Sequence, residues 1–123
     1  MSIWPFRLGH FIELPYTLVQ DSTLRMVLNE GTPRLWLEKL DFLEHYRGMA
    51  LLNTHPDYLK EPVLLKIYTD FLKTVSEKRD YWHALPREVA RWWRVRAGIL
   101  DDGFSGRIRL GRIVLEDNHI IIS

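Results

Sequence analysis

The chain contains no cysteine, which excludes disulfides, thiolate metal ligands and cysteine nucleophiles together. It also lacks an excess of either charge, since 17 Lys and Arg stand against 16 Asp and Glu for a formal net charge of +1. That balance argues against nucleic-acid recognition by bulk electrostatics. No apolar run approaches the ~18 residues of a membrane-spanning helix. The opening residues, MSIWPFRLGH, carry no signal-peptide apolar stretch. On these grounds the sequence is read as cytoplasmic, with neither a membrane nor a nucleic acid as partner. Internal repeats and low-complexity tracts are absent from it as well.

What is present suffices for one core. The 123 residues are 46% apolar and 27% charged, the composition of a folded soluble domain rather than a disordered segment. Residues 1–9 read as an opening segment tucked against that core. His10 to Leu14 (HFIEL) reads as a first strand ended by Pro15, which has no amide hydrogen to give a ladder. Leu24 to Leu28 can form one or two helical turns capped by Asp21 or Ser22. Thr32-Pro33 is a helix start signal. Leu35, Trp36, Leu40, Leu43 and Tyr46 then keep helical spacing up to a stop at Gly48.

The stretch GMALLNTHPDY, from Gly48 to Tyr58, organises the rest. Met49 to Leu52 is a short apolar run bounded by turn signals, which suits a strand buried on both faces of a parallel sheet. Pro62 begins a second helix with an apolar stripe through Val63-Leu64, Ile67-Tyr68, Phe71-Leu72 and Val75, extending to about Arg79. Tyr81 to Leu85 (YWHAL) reads as a third strand, and Pro86 starts a helix closed by Gly98. Strand and helix alternating in this way predict three βα units with parallel strands and right-handed crossovers. From Asp101 onward the chain changes character, with turn residues and then RIRLGRIVL and HIII, a β hairpin or meander. The expected division is therefore residues 1–99 and a tail of residues 100–123. Three parallel strands leave an open sheet edge, which native proteins usually cover, so a second copy or a partner chain is expected there.

Asn53, Thr54, His55, Pro56 and Asp57 cluster just past the carboxyl end of the Met49–Leu52 run, where parallel α/β folds gather their site residues. His55 is the leading candidate. An imidazole titrates at about pH 6.5, so it can hold and release a proton at neutrality. The plainer reading of His55 is a ring that caps its own loop by hydrogen bonding. Asp57 either orients His55, contacts a ligand hydroxyl, or simply starts a turn. Two ligands, His55 and Asp57, fall short of the usual three for a metal. His10, His45, His83 and His119 have no ligand spacing. Trp36, Trp92 and Trp93 sit on helical stripes and are read as packing against the sheet. The arginines of the last helix (Arg87, Arg91, Arg94 and Arg96) read as a solvated face. Glu13 faces either the fold interior or an edge.

ELPYTLVQD, GMALLNTHPDYL and YWHALPREVARWW together resemble the carboxyl-terminal portion of the polysaccharide deacetylase superfamily, over roughly Leu8 to Arg96. The resemblance implies the last part of a seven-stranded (β/α) barrel. It also implies metal-dependent hydrolysis of N-acetyl groups on amino sugars. His55 matches the family's general-acid histidine, and Asp21 is the counterpart of the aspartate that buttresses it. Asn53, Asp57 and Tyr16 are the candidate substrate contacts. The family's metal ligands, an aspartate and a His-x-x-x-His pair, have no equivalent in this sequence. The resemblance thus implies the back half of an enzyme, as a fragment, a truncated product or a decayed paralogue, with no cofactor of its own and a zinc-like metal only in a complete relative. The rival expectation is a noncatalytic module, either a sugar-binding piece or a subunit that completes a partner's sheet.

Overall fold

Three amphipathic helices carry most of the regular structure in the computed structural model of the chain, which describes residues 2–98 and, as backbone, strands at 108–110, 113–116 and 119–122. The chain divides into two compact units. One is formed by residues 2–4 and 15–79, the other by 5–14 and residues from 80 onward.

In the first unit, α1 (Arg34–His45) buries Trp36, Leu40 and Leu43. α2 (Pro62–Glu77) buries Leu64, Ile67 and Phe71. Both sets follow the three- and four-residue spacing that places side chains on one helix face. The Trp36 and Phe71 rings meet edge to face at 5.2 Å, an arrangement favoured by the quadrupoles of the two rings. Leu18 and Leu24 complete this core at 3% and 0% exposure. α2 begins with Pro62 in its first turn and with the Glu61 carboxylate accepting from the Leu64 amide at 2.7 Å. α1 begins one residue later than Thr32-Pro33 suggests, with Pro33 at its N-cap.

α1 ends as a Gly48 stop predicts, by a different division of labour. Arg47 takes the left-handed conformation, φ 53°. The Gly48 amide donates to Leu43 O at 2.7 Å, and the Arg47 amide to Glu44 O at 3.0 Å. This 6→1 and 5→2 pair closes the helix end. Gly48 serves for room instead, because a Cβ there would sit 3.1 Å from the Ile3 carbonyl oxygen. The Met49 amide bonds that same oxygen at 2.7 Å, so the opening segment is held at Ile3, whereas Trp4 and Phe6 stay exposed.

The parallel α/β expectation is overturned. There are no parallel βα units among the described residues, and hence no part of a seven-stranded barrel. Met49–Leu52 is extended but belongs to no sheet, and Ala50 within it is exposed. Its Leu51 carbonyl accepts from the Thr17 and Leu18 amides at 3.3 and 3.2 Å. The Thr17 hydroxyl donates to Met49 O at 2.7 Å and accepts from the Leu51 amide at 2.9 Å. A side chain occupies the place of a neighbouring strand. Tyr81–Leu85 forms no strand either. Its Trp82 packs against Trp92 at 6.1 Å, and the Leu85 amide donates to the Glu88 carboxylate at 2.6 Å to cap the following helix. The Leu24–Leu28 turns take a wider form, a π-helical turn over Thr23–Val27 closed by the Leu28 amide on Thr23 O at 3.0 Å.

In the second unit, the expected first strand is real but antiparallel. β1 (Phe6–Leu8) pairs with β2 (Phe11–Glu13), Leu8 opposite Phe11, around a two-residue turn in which Gly9 has φ 60°. β2 packs on α3 (Pro86–Arg96), and Arg94 donates to the His10 carbonyl at the turn. Trp92 and Trp93 are half-buried against one another and beneath the Arg96 guanidinium. Trp92 also contacts Trp82, and the sheet nearest the helix that carries both rings is the antiparallel β1–β2 pair rather than a parallel one. β3 (Ile108–Leu110), β4 (Ile113–Glu116) and β5 (His119–Ile122) form an antiparallel meander. The turn residues expected at 101–106, the Asp117-Asn118 connection and the boundary at residues 99–100 lie outside the described residues.

Candidate functional site

Two segments meet at the candidate site. One runs from Pro15 to Ser22. Leu18 within it and Leu24 just after it, both buried, anchor it in the core, and the Trp36 indole N–H ties it to α1 through Val19 O at 2.8 Å. Asp21 lies at its end, where the π-helical turn begins. The other segment runs from Met49 to His55. Pro56 then restricts His55 to extended backbone, and the Tyr58 and Leu59 amides turn back onto His55 O at 3.0 and 3.3 Å.

The structure brings His55 and Asp21 together. Asp21 is 0% exposed, yet its carboxylate has three donors. Oδ1 accepts from the Ser22 amide at 2.8 Å and from His55 Nδ1 at 2.8 Å, and Oδ2 accepts from the His55 amide at 2.7 Å. Burial by itself pushes this carboxyl up. The hydrogen bond from the His55 ring, the amides of His55 and Ser22 and the positive charge of the ring outweigh burial and hold it below the ordinary 3.8. An ionised carboxylate only accepts, so His55 Nδ1 carries the hydrogen. Nε2 is left as the nitrogen open to a ligand, on a side chain that is 41% exposed. An aspartate-held imidazole of this tautomer can take a proton at Nε2 and give it back.

The other candidates take different places. Asn53 is half-buried, two residues before His55. Tyr16 is 55% exposed on the Asp21 segment. The Asp57 side chain faces solvent, pairs with Lys60 at 3.5 Å and precedes the short 3₁₀ turn Tyr58–Lys60, the turn-starting alternative of its sequence reading. Glu13 is exposed at the end of β2, opposite Phe6. Tyr58, which carries no motif of its own, sets its ring edge-on to the His55 ring at 5.2 Å. Its only sequence signal is an aromatic residue three places after a histidine.

Among the described residues no group of three or more His, Asp or Glu side chains is placed to hold a metal ion. His55 and Asp21 satisfy each other, and Asp57 points away to Lys60, so these residues do not compose the divalent-metal site that the resemblance implies. Nor is any helix among the described residues long and apolar enough to cross a membrane.

Fold and site together define a small, mostly helical protein with a buried aspartate holding a half-exposed histidine. No protein-family model matches the chain, and neither a curated protein nor a solved structure does.

Proposed function

We propose that this chain supplies a proton-transfer histidine, His55 held by Asp21, to the hydrolysis of an amide, with the N-acetyl group of an amino sugar as substrate class. The observation that carries the proposal is the fully buried Asp21 carboxylate bonded to both the amide and the Nδ1 of His55. The substrate class comes from the resemblance of the residues alone. In the reaction, water oxygen adds to the acyl carbon, its protons passing to solvent, and the C–N bond breaks. Protonated Nε2 gives its hydrogen to the departing amine, leaving acetate and a free amino sugar. Asp21 keeps the ring in the Nδ1–H tautomer and fixes its orientation. Polarisation of the acyl group falls to groups other than the described residues.

A noncatalytic sugar-binding or partner-completing module is the second reading, and one observation favours it. Asp21 Oδ2 is occupied by the His55 backbone, so half of the carboxylate shapes the loop whatever the ring does. One pair of measurements separates the two. Hydrolysis of p-nitroacetanilide, an acetyl amide whose amine must be protonated to leave, tests the proton transfer directly. Titration with N-acetylglucosamine oligomers, followed by amide shifts at residues 53–55, 57 and 58, tests binding. The catalytic reading expects an amide-hydrolysis rate that falls roughly 100-fold in His55→Ala, with sugar-induced shifts around the loop. A folded His55→Ala variant as fast as the wild type overturns it. Shifts that persist in that variant then favour the binding module.

A further inference from the structure

Thr17 stands four residues before Asp21, and Leu51 four residues before His55. The Thr17–Leu51 and Asp21–His55 contacts therefore share one offset, 34 residues in each case, and the two segments run side by side in the same direction. We infer that Thr17 is a positioning residue for His55. Its hydroxyl, bonded at once to the Met49 carbonyl and the Leu51 amide, sets the register that brings the Asp21 carboxylate to Nδ1.

The bond lengths point to the hydroxyl rather than the backbone. The Thr17 and Leu18 amides share one acceptor, Leu51 O, at 3.3 and 3.2 Å. The hydroxyl bonds are shorter, 2.7 and 2.9 Å, and run in both senses. Thr17 is also 6% exposed, so solvent does not replace it. Only a hydroxyl of this size can donate to one backbone group and accept from the next in such a space. Between Thr17 and Asp21 the sheet ladder that normally fixes register is missing. A slip of one residue between the two segments changes the 34-residue offset and takes the imidazole away from Asp21.

The test reads the tautomer of His55 by ¹⁵N shifts of its ring in the full chain. For catalysis the inference rests on the function proposed above, but this readout needs no substrate, so the two fail separately. Wild type and Thr17→Ser are expected to show a single Nδ1–H tautomer. Thr17→Val, isosteric but without donor or acceptor, is expected to show a mixture of tautomers and faster exchange of the ring hydrogen. Should Thr17→Val not fold, Thr17→Cys gives the graded form, because a thiol donates and accepts only weakly. Phe71→Leu, in the core beside Trp36, lowers stability without touching the register and is expected to keep the wild-type signature. A folded Thr17→Val or Thr17→Cys variant with the single Nδ1–H tautomer overturns the inference, as does loss of that signature in Phe71→Leu.

Discussion

Asp21 is a buried carboxylate with every lone pair that matters in use, and its chemistry follows from that. Replacing it with alanine orphans two backbone amides, at a cost of about 1–3 kcal/mol for each buried donor. Asp21→Asn is the more informative change. A carboxamide cannot accept on both sides, so its NH2 opposes either the His55 amide or the Ser22 amide together with His55 Nδ1, and a backbone donor loses its acceptor in each case. The pH dependence has a definite sign. Because the folded carboxyl lies below its ordinary 3.8, its contribution is fully present above the unfolded value and is lost as pH falls through the folded one. In urea titrations, the stability gap between wild type and Asp21→Asn is expected to hold above about pH 4 and to narrow steadily below it. A gap unchanged down to acid unfolding contradicts the ionised, hydrogen-bonded carboxylate. Which residues belong in the pair was legible from the sequence through the resemblance. That Tyr58 borders the ring was not, since one aromatic residue after a His-Pro turn carries no spacing of its own.

At the scale of elements, the helices were legible, as were β2 and the strands of the tail, whereas β1, the antiparallel pairing of β2 and the failure of Met49–Leu52 and Tyr81–Leu85 to form strands were not. α1, α2 and α3 each announce themselves through proline at or near the start and an apolar stripe of helical period. Their hydrogen bonds close within the segment, so local residues suffice. An extended run such as Met49–Leu52 depends on what lies beside it. Here that neighbour is a threonine hydroxyl. The close of α1 shows how an element can be right in position and different in mechanism. Arg47, not Gly48, takes the positive φ, and Gly48 makes room for the Ile3 carbonyl. Gly48→Ala is therefore expected to destabilise by about 1–3 kcal/mol, the usual cost of forcing atoms into a filled space. A lower urea midpoint with an unchanged slope is the signature to look for. A neutral substitution would mean that the Ile3 segment yields freely.

Across the whole molecule, the first unit is held by a few residues that serve both core and site. Trp36 is the clearest. Its ring meets Phe71 of α2, and its indole N–H reaches Val19 on the segment that presents Asp21. Trp36→Phe keeps an aromatic ring but removes the donor and leaves a space, an expected loss of about 1–3 kcal/mol. The same variant is expected to loosen the Asp21 segment, seen as faster amide exchange at residues 19–22 than the global loss alone accounts for. Uniform acceleration across α1 and α2 would assign Trp36 to packing only.

The amino acids alone determined the helical segments and the apolar stripes that become the core. Tertiary structure decided how the extended segments pair. It set β1 against β2 in antiparallel fashion, kept Met49–Leu52 out of any sheet, and joined Asp21 to His55 across 34 residues of chain. The reason is physical. A helix satisfies its backbone with residues four places away, whereas an extended segment must find its partners elsewhere. Which partner it finds depends on the packing of everything between.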